Sequence, residues 1–144
     1  MINLNSVKKV YIIGDGYRSS RGITAAQQIL TASKANAKEK TVSVIPTNKY
    51  TVGENDNNSQ LMEKLRPLVG EIEGQYKRAI DREFNESNVD GVPVEHKIDP
   101  KILFLIDTSD KTSAVLARLF QGPWGGFPFA AKYTLAVDLS ADNK

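Results

Sequence analysis

Val7-Lys8-Lys9-Val10-Tyr11-Ile12-Ile13-Gly14 leads directly into Asp15-Gly16-Tyr17-Arg18-Ser19-Ser20-Arg21-Gly22, and the change of chemistry at Gly14 decides the fold. The first half is β-branched and aromatic and closes on glycine, which suits a buried strand that turns at its end. The second half is polar and glycine-flanked, and it gives way to residues 23–37, rich in Ala, Gln, Leu and Lys. There Ile23, Ala26, Leu30 and Ala37 share one helical face, with the small Ser33 between the last two. The stretch therefore reads strand, loop, helix.

The same order continues down the chain. Residues 41–45 are a short β-branched run stopped by Pro46, and 47–58 have the composition of a loop, with Gly53, Asn55, Asp56, Asn57 and Asn58. Leu61, Leu65, Leu68, Ile72, Tyr76, Ala79 and Ile80 recur mostly at intervals of three and four. This predicts a long amphipathic helix from Ser59 to about Phe84, kinked or divided at Pro67, which lacks a backbone donor. In residues 85–100, Val92, Val94, His96 and Ile98 alternate with Pro93, Glu95 and Lys97. That reads as a loop holding an edge strand, since Pro93 does not suit a central one.

Ile102-Leu103-Phe104-Leu105-Ile106 is continuously apolar, as in a strand covered on both faces. Thr108, Ser109 and Asp110 then offer N-caps for a helix to about Phe120, with Val115, Leu116, Leu119 and Phe120 turned inward. Residues 122–129, rich in Gly and Pro, break that helix, and 133–139 supply a last strand. No repeat or linker divides the chain, so one domain is expected over residues 1–144.

This alternation predicts an α/β fold: a mostly parallel sheet of four or five strands with helices on both faces. The expected form is a three-layer sandwich of the Rossmann or flavodoxin kind, because right-handed crossovers place helices on both sides. The loops after Gly14, Ile45 and Ile106 then emerge together at the carboxyl ends of the strands, where such sheets bind ligands.

Bulk composition narrows the function classes. With 144 residues, 40% hydrophobic and 25% charged, the chain has the profile of an ordinary globular domain. It has no cysteine, which excludes disulfides, thiolate metal sites and cysteine nucleophiles, and it fits a cytoplasmic location. No apolar run approaches the ~20 residues of a membrane span, so no membrane partner is expected. A net charge of +2 is too balanced to make nucleic acid the main partner. The charge is nonetheless uneven: residues 1–50 carry +6, 51–100 carry −5 and 101–144 carry +1. Folding that intermixes these charges explains the asymmetry more simply than a functional patch does.

The loop after the first strand is the leading site. Asp15, Gly16, Arg18, Ser19, Ser20 and Arg21 place flexible backbone, hydroxyls and guanidiniums just before a helix N-terminus. Free amides and partial positive charge there suit a phosphate or carboxylate, which Arg18 or Arg21 would clamp. No Gly-Lys-Ser/Thr closes the loop, so it is not a Walker A motif. Ser19 stands where the dinucleotide fingerprint has its third glycine. A plain strand-to-helix turn with solvated arginines accounts for the same residues.

At the end of the apolar strand, Asp107-Thr108-Ser109-Asp110-Lys111-Thr112-Ser113 is a second candidate, and it partly resembles the Asp-x-Ser-x-Ser metal site of von Willebrand A-type domains. Lys111, however, occupies the place of the last ligand, where a cation repels a metal. Helix capping explains the cluster, while Asp107 facing Asp15 would allow a Mg²⁺ held through its waters. His96 is the only histidine, so a multi-histidine metal centre is excluded, and neither Ser19 nor Ser20 has an evident base. Trp124, with Phe127 and Phe129, is either a stacking platform for a base or a cap on the core.

The residues thus favour a binding protein for a nucleotide or other phosphorylated anionic small molecule, using Asp15, Gly16, Arg18, Ser19, Ser20, Arg21, Asp107 and Trp124. They name no cofactor and leave catalysis open. The competing expectation is a non-enzymatic structural or assembly subunit, as in a viral or phage particle, acting through a homo-oligomer or protein partner. The third is a Mg²⁺-dependent hydrolase built on Asp15 and Asp107.

Overall fold

The computed structural model describes residues 4–15, 20–34, 40–87 and 98–139. Four strands, β1 (Lys9–Gly14), β2 (Thr41–Pro46), β3 (Ile102–Asp107) and β4 (Thr134–Val137), form one all-parallel sheet in the order β2-β1-β3-β4. Helix α1 (Ser20–Ala32) joins β1 to β2, and α2 (Asn58–Ser87) carries the chain from β2 to β3. Helix α3 (Lys111–Phe120) and the short α4 (Pro128–Lys132) lead from β3 to β4. This is the expected α/β arrangement with four strands; the edge strand read around His96 falls in residues 88–97, outside the described residues.

The alternation of side chains along β1 and β3 separates two cores. Val10, Ile12, Leu103 and Leu105 face α1, where they meet Ala26 and Leu30. Tyr11, Ile13, Phe104 and Ile106 face the opposite layer and pack with Leu65, Leu68 and Ile72 of α2, Leu116 and Leu119 of α3, and Phe129 of α4. All six residues of β3 are buried, as its unbroken apolar run requires of a strand covered on both sides.

Three expectations change. Pro67 does not divide α2, which runs as one helix through it. An interior proline costs about 3 kcal/mol, but Leu65, Leu68, Val69 and Ile72 on either side of it are all buried in one core. Helix α1 starts at Ser20, earlier than the loop reading implied, so Arg21 and Gly22 belong to its first turn. It also stops at Ala32, because Ser33 turns its hydroxyl to the Val7 and Asn5 carbonyls and the Lys40 ammonium donates to the Leu30 and Ser33 carbonyls. A cation on the last carbonyls both satisfies them and suits the negative end of the helix. The third change is α4, placed after Phe127 by Pro128 at its first position.

The uneven charge along the sequence is interleaved by folding. Lys8 and Lys101, at the starts of β1 and β3, meet the buried Glu83 of α2 at 2.7 and 3.4 Å. Lys49 pairs with Glu71 at 3.1 Å. Two lysines of the basic first third, Lys8 and Lys49, are thus paired with glutamates of the acidic middle. Among the described residues, no helix is long and apolar enough to cross a membrane.

Candidate functional site

β1 lies between β2 and β3, so the chain leaves β1 over one face through α1 and leaves β3 over the other through α3. Where successive connections diverge in this way, a crevice opens at the carboxyl ends of the two strands. Register sets its walls: Ile13 pairs with Ile106, which brings Gly14 beside Asp107.

Asp107 is 4% exposed and ties two segments together. Its Oδ1 accepts from the Ser109 amide at 3.0 Å, the Ser109 hydroxyl at 2.6 Å and the Leu139 amide at 3.2 Å. The carboxylate thus holds the exit of β4 against the end of β3. On the β1 side, a Cβ placed on Gly14 would stand 3.1 Å from the Asp107 Cβ and 3.7 Å from its Oδ2. A side chain at Gly14 would therefore crowd Asp107, and glycine lets the ends of β1 and β3 pack closely here.

A second carboxylate organises the neighbouring loops. Asp110 caps α3, its Oδ2 accepting from the Ser113 amide at 3.0 Å and the Ser113 hydroxyl at 2.8 Å. The same oxygen accepts from the Thr47 hydroxyl at 2.6 Å, while the Thr47 amide donates to the Gly14 carbonyl at 3.0 Å. The ends of β1, β2 and β3 are therefore linked through one short chain of bonds. Beside them, Thr112 donates to the Tyr50 carbonyl at 2.9 Å. Burial pushes the Tyr50 phenol above its ordinary pKa and the Glu71 carboxylate adds to the effect.

The fate of the residues expected at the site is mixed. Asp15 follows β1 directly and is half-buried, and Arg21 is exposed in the first turn of α1. Ser20 begins α1. Gly16, Arg18 and Ser19 lie outside the described residues. Asp107 ends β3 beside Gly14, and Asp110 is the N-cap of α3. Trp124 is not brought to this edge: α3 carries the chain about 15 Å back along the sheet, at 1.5 Å per residue, before Trp124 is reached. There it is half-buried, its ring 6.3 Å from those of Phe120 and Phe127, and it closes α3 by donating its amide to the Leu119 carbonyl. A base stacked on Trp124 would be out of reach of Asp107. Among the described residues no group of three or more His, Asp or Glu side chains gathers to hold a metal, so the Mg²⁺ reading rests on Asp15 and Asp107 alone.

Sequence reasoning missed Thr47 and the Leu139 amide, whereas Ser113 lay within the cluster read as helix capping. Ser113 carried a local signal, three residues after a capping aspartate. Thr47 carried none, since its partner is 63 positions away. It also assigned Gly22 to the ligand loop as its closing glycine, whereas its place is in helix packing. A Cβ there would lie 3.0 and 3.1 Å from Ile12 and 3.3 Å from Leu139. Gly22→Ala is expected to destabilise the fold by about 1 kcal/mol, overpacking of 1–3 kcal/mol outweighing a helix-propensity gain of about 1 kcal/mol. Urea denaturation measures it; a more stable variant would show that α1 does not sit this close to β1.

Comparison with protein-family models, with curated proteins and with solved structures finds no match.

Proposed function

We propose that the chain binds a nucleotide or another phosphorylated anion in the crevice between the ends of β1 and β3. The observation that carries this reading is the strand order β2-β1-β3-β4 in an all-parallel sheet, which places the loop after Gly14 at the point where the connections diverge. Two further features support it. The first turn of α1 contains Arg21 and no acidic residue, and the partial positive charge of a helix N-terminus suits an anion. Asp107 offers its Oδ2 side to a sugar hydroxyl or a cation, a role that complements a phosphate held by Arg18 and Arg21.

The probes are inorganic phosphate, AMP, ADP and ATP, read by the melting temperature of the full chain. A true ligand at 100 times its Kd adds about 2.7 kcal/mol. For a domain of this size that corresponds to a rise on the order of 5–10 °C. The Arg18→Ala/Arg21→Ala variant is expected to lose most of the shift. No shift with any probe, or an equal shift in the variant, rejects the assignment.

A second reading, an assembly subunit working through protein contacts, is favoured by one observation at a different place: an apolar groove left open between α1 and β4.

A further inference from the structure

We infer that the crevice takes a hydroxyl-bearing phosphate ester, with Asp107 Oδ2 accepting from the hydroxyl and the phosphate lying toward the first turn of α1. The inference rests on the anion-binding reading above and adds the class of ligand. Its starting point is an imbalance within one carboxylate. Oδ1 accepts from the Ser109 amide, the Ser109 hydroxyl and the Leu139 amide, whereas Oδ2 accepts from none of the described residues. Among the described residues that are buried or half-buried, every fully buried side-chain oxygen and nitrogen has a hydrogen-bond partner. Oδ2 therefore keeps contact with solvent, although Asp107 as a whole is only 4% exposed.

The position of that oxygen is fixed from both sides. A Cβ on Gly14 would stand 3.7 Å from Oδ2, the carboxylate oxygen nearer to it, so Oδ2 faces the end of β1 while Oδ1 faces the exit of β4. The first turn of α1 is a close neighbour. A Cβ on Gly22 would stand 3.3 Å from the Leu139 side chain, and the Leu139 amide lies 3.2 Å from Asp107 Oδ1. One residue thus touches both the helix turn and the carboxylate, and one small molecule can reach both.

Charge decides which part of the ligand meets Asp107. A phosphate dianion brings acceptors and negative charge, so the carboxylate calls for a donor elsewhere on the same molecule. Hydrogen bonds to an ionised acceptor are about twice as strong as neutral ones. A hydroxyl needs only the one acceptor that Oδ2 supplies. A divalent cation needs six or so oxygen ligands, and among the described residues no group of three or more acidic or histidine side chains gathers around Asp107.

The test compares methyl phosphate, ribose 5-phosphate and AMP by isothermal titration calorimetry on the full chain. Ribose 5-phosphate and AMP are expected to bind about 10–100-fold more tightly than methyl phosphate, the range set by a hydrogen bond to a charged group. Equal affinities for the two would make a sugar phosphate the sufficient ligand, and tighter AMP would make it a nucleotide; either supports the inference. In Asp107→Asn the three donors at Oδ1 hold the amide oxygen there and set the amide nitrogen in place of Oδ2. The advantage over methyl phosphate should then largely vanish. The comparison on the unaltered chain stands by itself if that variant fails to fold. Methyl phosphate binding as tightly as ribose 5-phosphate, or an advantage that persists in Asp107→Asn, overturns the inference and leaves the anion-binding reading intact. No binding of any of the three overturns both.

Discussion

Phe104→Ala is expected to remove about 3–5 kcal/mol of folding stability, the largest effect of any single truncation considered. Phe104 is fully buried in the middle of β3, which itself lies between β1 and β4. Its ring stacks on Tyr11 at 5.2 Å and meets the edge of Phe129 at 6.0 Å, so its loss opens a cavity shared by the sheet and α4. Neither neighbour can collapse into that space freely: the Tyr11 hydroxyl is held by Gln75 at 3.0 Å, and Phe129 is wedged against Phe120 and Phe127. Domains of this size have ~5–15 kcal/mol in total, so the variant would be close to unfolding. The urea midpoint measures the change, and Phe104→Leu, which refills most of the volume, should cost far less. A loss below ~1 kcal/mol for the alanine would mean that the aromatic cluster repacks, contrary to the dense interior its ring contacts describe.

The second large effect belongs to the crevice. Asp107→Ala is expected to cost about 2–4 kcal/mol, since hydrogen bonds to charged groups contribute ~1.5–3 kcal/mol and a stranded buried donor adds its own penalty. The amide of Leu139 is the donor most affected, because it fastens the end of β4 to the sheet through Asp107 Oδ1. Asp107→Asn retains an oxygen in that position without the charge and should lose about 1 kcal/mol. Equal losses for the two variants would show that the three bonds at Oδ1 contribute little. The Asn variant has a second use: it preserves the local scaffold while removing the charge offered to a ligand hydroxyl or cation.

Much of this architecture was legible because its signals are local. The apolar run of β3 has no polar position at which a solvent-facing side could lie, so burial on both faces and a central place in a parallel sheet follow. Asp110 is legible as a cap because the amide it satisfies is only three residues ahead. The long period of Leu61, Leu65, Leu68 and Ile72 survives an internal proline, since the repeat reports the core and the proline reports only one backbone donor. Trp124 was not legible: an aromatic beside glycines and prolines has the same appearance whether it caps a core or waits for a ligand. Its position is set by where α3 ends.

Local chemistry by itself determined the element types, their order and the class of fold, because periodicity, capping and β-branching act over a few residues. Strand order did not follow from it, nor did the partners of Thr47, Asp107 and Leu135, which lie 63, 32 and 30 positions along the chain. Those contacts exist only after the crossovers have brought distant strand ends together. The loop after Gly14 is a candidate site for the same reason: its residues are ordinary in isolation, and the strand that leads into it ends beside a buried carboxylate, Asp107.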